Sequence, residues 1–119
     1  MDNNIKIIQV INAMITNSDK ITNVIKKNKE FFFLYNNKYK WSISKNDSDI
    51  FFLHIYPGDE KSLDELAVFS EWDNYNFVTY KSDEFKAKEA HESFVELYLL
   101  VSEKVAGIDE MFRDILADF

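Results

Sequence analysis

The chain has 119 residues and a mass of 14.1 kDa, a length that suits one domain burying roughly two thirds of its extended surface. Hydrophobic residues make up 46% and aromatic residues 16%, a content that argues against disorder, and the lack of cysteine excludes disulfides, thiolate metal sites and a cysteine nucleophile. The net charge of −7 is uneven: residues 1–59 hold 8 lysines and 6 acids, for +2, whereas residues 60–119 hold 5 lysines and 1 arginine against 15 acids, for −9. Such polarity disfavours nucleic acid as a ligand and favours a protein partner with a basic surface.

Residues 1–4 contain an acid and no cation, unlike a secretory signal, and no apolar run approaches the roughly 20 residues that span a bilayer. The expectation is a single domain over 1–119, cytoplasmic, without membrane contact. Ile7, Ile11, Met14, Ile21 and Ile25 recur at helical steps, so a helix is expected over roughly 3–28. Asn17-Ser18-Asp19 would break it, Ser18 then capping a second helix.

From Glu30 the apolar period changes to two. Phe31 to Tyr35 reads as a buried strand, and Asn36-Asn37 supplies a hairpin turn. Tyr39, Trp41 and Ile43 alternate with Lys38, Lys40, Ser42 and Ser44, which predicts a strand with one wet face. Ile50 to Tyr56 forms a third strand, ended at Pro57-Gly58-Asp59. Ser62 and Glu65 fit a capping box for one helical turn. Further strands are expected at 67–72 and 77–80, the second followed by Ser82 as N-cap of a long helix.

That helix, Asp83 to Asp118, has two chemically opposite sides. Ala87, Ala90, Phe94, Leu97, Val101, Val105, Ile108, Phe112 and Ile115 share one apolar arc, while Glu89, Glu92, Glu96, Glu103, Glu110 and Asp114 lie across from it. Gly107 can end or bend the helix, although the arc keeps its phase across it. The fold class is therefore α+β: an antiparallel sheet of four to five hairpin-linked strands, covered on one face by an N-terminal helix or helix pair and a long C-terminal helix.

Chemistry is sparse. His54 lies within a strand, where a partly buried histidine bonded to a neighbour is a simpler reading than a general base or ligand. His91 has Val95 at i+4 and Ala87 at i−4, so it lacks the spacing of a helical zinc site. Asp47 and Asp49 lack the glycine and glutamate of a calcium loop, and no glycine loop suits a phosphate. No catalytic motif, metal or cofactor is expected.

Two features remain for interaction. One is Glu71-Trp72-Asp73-Asn74-Tyr75, where Trp72 and Tyr75 flank the acids Glu71 and Asp73. The other is the acidic stripe Glu89, Glu92, Glu96 and Glu103. The stretch Leu97 to Val101 is apolar almost all round, which marks Leu99 and Leu100 as possible contacts of a homodimer. The sequence thus reads as a small acidic protein-binding module that masks a basic surface, as an immunity protein or dedicated chaperone does. Its alternatives are a structural homodimer through the C-terminal helix, or a small ligand-binding protein or enzyme using His54.

Overall fold

The computed structural model describes residues 3–58, 61–68 and 77–117. The fold is α+β: a five-stranded antiparallel sheet in the meander order β1-β2-β3-β4-β5, with an N-terminal helix and a long C-terminal helix. Helix α1 (Asn3–Thr16) buries Ile7, Ile11 and Met14, spaced so that all three meet one side. The amide groups of Asn17, side chain and backbone, both donate to the Ala13 carbonyl and close the helix.

A short 3₁₀ turn, Ser18–Lys20, leads into strand β1 (Ile21–Lys27) and not into a second helix. The correction has a local cause: Ile21, Thr22, Val24 and Ile25 are β-branched and favour extended backbone. A β-bulge explains why their spacing imitated a helix. Ile21 pairs with Tyr35 and Ile25 with Phe32, the register shifts between Thr22 and Ile25, and Asn23 sits at φ 56°. The extra residue sends Ile21 and Ile25 to opposite faces of the sheet, where an unbulged strand would place both on one.

Strands β2 (Glu30–Tyr35), β3 (Tyr39–Lys45) and β4 (Phe51–Tyr56) follow through tight turns. Asparagine and aspartate take the left-handed conformations there, at Asn28, Asn36, Asn37 and Asp49. In the third turn the Asn46 side-chain oxygen accepts hydrogen bonds from the Ser48 and Ile50 amides. Helix α2 (Leu63–Val68) opens on the expected capping box, with Ser62 N–H donating to Glu65 Oε1 at 3.1 Å and Glu65 N–H to Ser62 Oγ at 3.3 Å. Ala67 and Val68 therefore end a helix and do not begin a strand; the remainder of the strand expected at 67–72 lies outside the described residues. Strand β5 (Val78–Lys81) closes the sheet against β4.

The two sheet faces differ. Phe31, Phe33, Trp41, Ile43, Phe51 and Leu53 form a dry face under α1 and the long helix, together with Ile11, Met14, Phe94, Leu97 and Val101. On the other face α2 buries Leu63 and Leu66 against Phe32 and Tyr56. Ser42 is fully buried on this second face, so β3 has no uniformly wet side.

The long helix α3 (Lys88–Ala106) begins later than Ser82. Ser82 opens a second 3₁₀ turn, and its buried hydroxyl accepts the Phe51 N–H at 2.9 Å, a tie to β4 in place of a helix cap. Ser93 joins α3 to α1 through Asn12 Oδ1 at 2.8 Å. Gly107, at φ 72°, ends α3 in the left-handed conformation, its N–H reaching the Glu103 and Lys104 carbonyls. Helix α4 (Ile108–Ala117) then starts afresh. The apolar arc crosses the break in phase, but its cover does not. Ala90, Phe94, Leu97 and Val101 are buried, whereas Val105, at the end of α3, and Phe112 and Ile115 beyond it are exposed.

Candidate functional site

The outer face of α3 carries the acidic stripe. At roughly 100° per residue, Glu89, Glu92, Glu96 and Glu103 fall within about 60° of arc, opposite Ala90, Phe94, Leu97 and Val101. All four carboxylate residues are exposed. Glu92 has a lysine at i−4, Lys88, with Nζ 3.9 Å from Oε1 and both side chains largely in water, so the pair is weak. Glu89, Glu96 and Glu103 make no ion pair among the described residues. Leu99 stands among them, three residues after Glu96 and four before Glu103, and is 53% exposed. Its neighbour Leu100 turns away and packs against the dry core. The two leucines thus belong to different surfaces, and only Leu99 is offered outward. Glu71, Trp72, Asp73 and Tyr75 lie outside the described residues.

A second constellation occupies the sheet face under α2. Register sets Ser42 beside Phe32 on one strand and His54 on the other, with Thr79 beyond His54. The Ser42 hydroxyl donates a short hydrogen bond to Glu30 Oε2 and lies 2.8 Å from the Tyr56 hydroxyl. His54 Nδ1 is 2.8 Å from Thr79 Oγ1, and its Nε2 is 3.7 Å from the same Glu30 oxygen. Burial pulls the His54 pKa below its ordinary value, and the Glu30 carboxylate, acting in the other direction, does not offset it. The imidazole is therefore neutral near neutral pH.

This network is poorly arranged for nucleophilic chemistry. A serine nucleophile needs its proton taken by a histidine, but Ser42 directs its proton at a carboxylate. Both ring nitrogens of His54 already face partners, Thr79 and Glu30, which leaves neither directed at a ligand. The arrangement instead ties four strands together through one row of polar side chains. No cluster of three or more histidine, aspartate or glutamate side chains suited to a metal ion occurs among the described residues. No helix among them is long and apolar enough to cross a membrane.

Sequence reasoning missed the Glu30–Ser42–Tyr56 bridge because it joins three strands whose relative register no local pattern encodes. It also missed the bare side of α4, where Met111, Phe112, Ile115 and Leu116 are 51%, 55%, 60% and 70% exposed. The signal for that surface was present in the arc that continues past Gly107, read as lying on the sheet. Comparison with known protein families, with curated proteins and with solved structures finds no match to this chain.

Proposed function

We propose that this chain works by binding another protein that presents a basic surface, masking it as an immunity protein or a dedicated chaperone would. The observation that carries the reading is the outward row Glu89, Glu92, Glu96 and Glu103 with Leu99 exposed among them. Among the described residues, one of these carboxylates, Glu92, meets a lysine. Carboxylates held in one line and left unneutralised create a field that speeds encounter with a cationic partner. The half of the chain that contains them, residues 60–119, carries −9. Trp72 and Tyr75, flanked by Glu71 and Asp73, have the composition of an aromatic anchor for the docked state. The absence of cysteine suits a reducing, cytoplasmic setting.

A homodimer through Leu99 is the second reading, favoured by that residue's exposure. It ranks lower because two copies would press like-charged stripes together. Use of His54 as a ligand or base is weaker still, since its Nδ1 is bonded to Thr79 and its Nε2 faces the Glu30 carboxylate at 3.7 Å.

The test is co-purification with the full chain at low and then high salt, beside the triple variant Glu89→Lys, Glu96→Lys, Glu103→Lys. A basic protein retained at low salt, released at high salt and lost with the variant is the expected result. Equal retention by the variant, or no salt-labile partner, overturns the reading.

A further inference from the structure

Helix α4 is anomalous within this molecule. Every side chain described from Met111 to Ala117 is exposed, so this stretch of the helix contributes nothing to the core. Four of those residues, Met111, Phe112, Ile115 and Leu116, are large and apolar and share one side of the helix. Spacings of one, four and five residues are those of a helix that lays its apolar face against another surface. A helix of ten residues is marginal in water by itself, because its nucleation cost is spread over few hydrogen bonds. An exposed apolar face of this kind on an otherwise well-packed protein marks a contact surface.

Charge decides what the face can accept. By sequence, α4 carries Asp109, Glu110 and Asp114 against Arg113, a net of −2, in a half-chain of −9. A second copy would bring two such halves together, and an anionic membrane would repel them. A strip of apolar side chains bordered by lysine or arginine meets both demands at once. It covers Phe112 and Leu116 and offsets the negative charge of the half-chain that carries them.

We infer that α4 is the anchoring helix of the binding surface, which docks through Met111, Phe112, Ile115 and Leu116 onto an apolar strip with a basic border on the partner protein. This rests on the reading of the chain as a binder of basic proteins, and it divides the work. The α3 stripe governs how fast the partner arrives, and α4 governs how long it stays. Docking also completes α4, whose helix gains cover that the sheet does not provide.

The probe is a synthetic amphipathic helical peptide of leucine and lysine, with a leucine–glutamate peptide of the same pattern as control. Each is titrated into the full chain, with backbone amide NMR as readout and surface-captured protein for rates. The expected result is binding of the lysine peptide alone, with amide shifts centred on residues 108–117. Phe112→Glu with Leu116→Glu should speed release and weaken binding about tenfold or more. Glu89→Lys with Glu96→Lys should instead slow association, mainly at low salt. Both variants alter only exposed positions, and unchanged amide spectra across the sheet will show that they fold.

Release unaffected by the α4 variant, with association still slowed by the α3 variant, overturns the anchor while leaving the binder reading intact. Failure of the lysine peptide to bind overturns both. A wild-type mass of two chains that falls to one in Leu116→Glu assigns the face to a second copy, against the inference. Binding to phosphatidylglycerol vesicles, lost in the same variant, assigns it to lipid and also overturns the inference.

Discussion

Helices α3 and α4 share one apolar arc, yet the sheet covers only the first of them. In α3 the arc is covered as far as Val101: Phe94, Leu97 and Val101 share one buried cluster with residues of α1 and aromatic side chains of β2 and β4, and Val105, just before Gly107, is already 37% exposed. In α4 the same periodicity faces water at Phe112 and Ile115. Periodicity reports which side of a helix is apolar, whereas cover depends on how far the sheet extends and on where the chain bends. Gly107 supplies the bend. Substitutions on the two helices should therefore differ in kind as well as in size.

The largest effect is expected at Phe94. Its ring is fully buried and lies 5.5 Å from Phe85, so Phe94→Ala removes core contacts and leaves a cavity. The cost should be roughly 3–5 kcal/mol, read as a lower midpoint in urea at unchanged slope. A loss below about 1 kcal/mol would mean that the α3 face is as loosely covered as that of α4, and the contrast would fail.

Next comes Ser42, the centre of the second sheet face. Ser42→Ala leaves the Tyr56 hydroxyl and the Glu30 carboxylate without the bridge between them. Roughly 1–3 kcal/mol should be lost, because each group loses one hydrogen bond while keeping the desolvation cost of its burial. Phe32→Ser42→His54→Thr79 is a row that no local pattern discloses. The sequence placed Phe32, Ser42 and His54 on strands and assigned alternate residues to opposite faces, all of which holds. It could not tell that Ser42 would be buried, because burial there depends on α2 and on Tyr56 of the neighbouring strand. The same limit hid β1: its bulge at Asn23 mimics helical spacing, and only pairing with β2 distinguishes the two. Turns and caps were more legible, since Asn36-Asn37 and the Ser62–Glu65 box act through neighbours in sequence. The acidic stripe of α3 was legible for a related reason, since a helix already placed on a sheet fixes which side remains outside.

The hinge between the two helices should respond to Gly107→Ala. A Cβ built at Gly107 meets nothing within 4 Å, so the cost is one of backbone conformation alone. Alanine in the left-handed region loses roughly 1–2 kcal/mol relative to a right-handed residue. Because the arc is in phase across the junction, the variant has an alternative in one continuous helix. The expected outcome is a modest fall in stability with helical Cα chemical shifts through residues 105–109. Left-handed shifts retained at position 107 would show that contacts at the junction, and not glycine, hold the bend.

The second sheet face also differs from the first in its dependence on pH. His54 is depressed by burial, with Glu30 opposing, so the unfolded chain takes up this proton at higher pH than the folded one. Its contribution is full above about pH 6.5, declines as pH falls through that value, and levels off below the folded pKa. Because the two causes oppose each other, this step should be smaller than the loss from Ser42→Ala. His54→Gln should flatten urea midpoints between about pH 7.5 and 5.5. An unchanged slope would assign the decline to other groups.

The smallest effect, and the sharpest test of the comparison, belongs to α4. Leu116 is 70% exposed and Phe112 55%, so truncating either leaves no cavity and uncovers no other side chain. Phe112→Ala and Leu116→Ala should each change stability by no more than about 0.5 kcal/mol, against roughly 3–5 kcal/mol for the same deletion at Phe94. Two residues of one type on one arc, Phe94 and Phe112, would then differ roughly tenfold in what they contribute to the isolated chain. A residue that large and that apolar, held in water at no benefit to folding, is retained by something other than the fold. If Phe112→Ala instead costs 2 kcal/mol or more, α4 packs onto the body in solution and its apolar side belongs to the core.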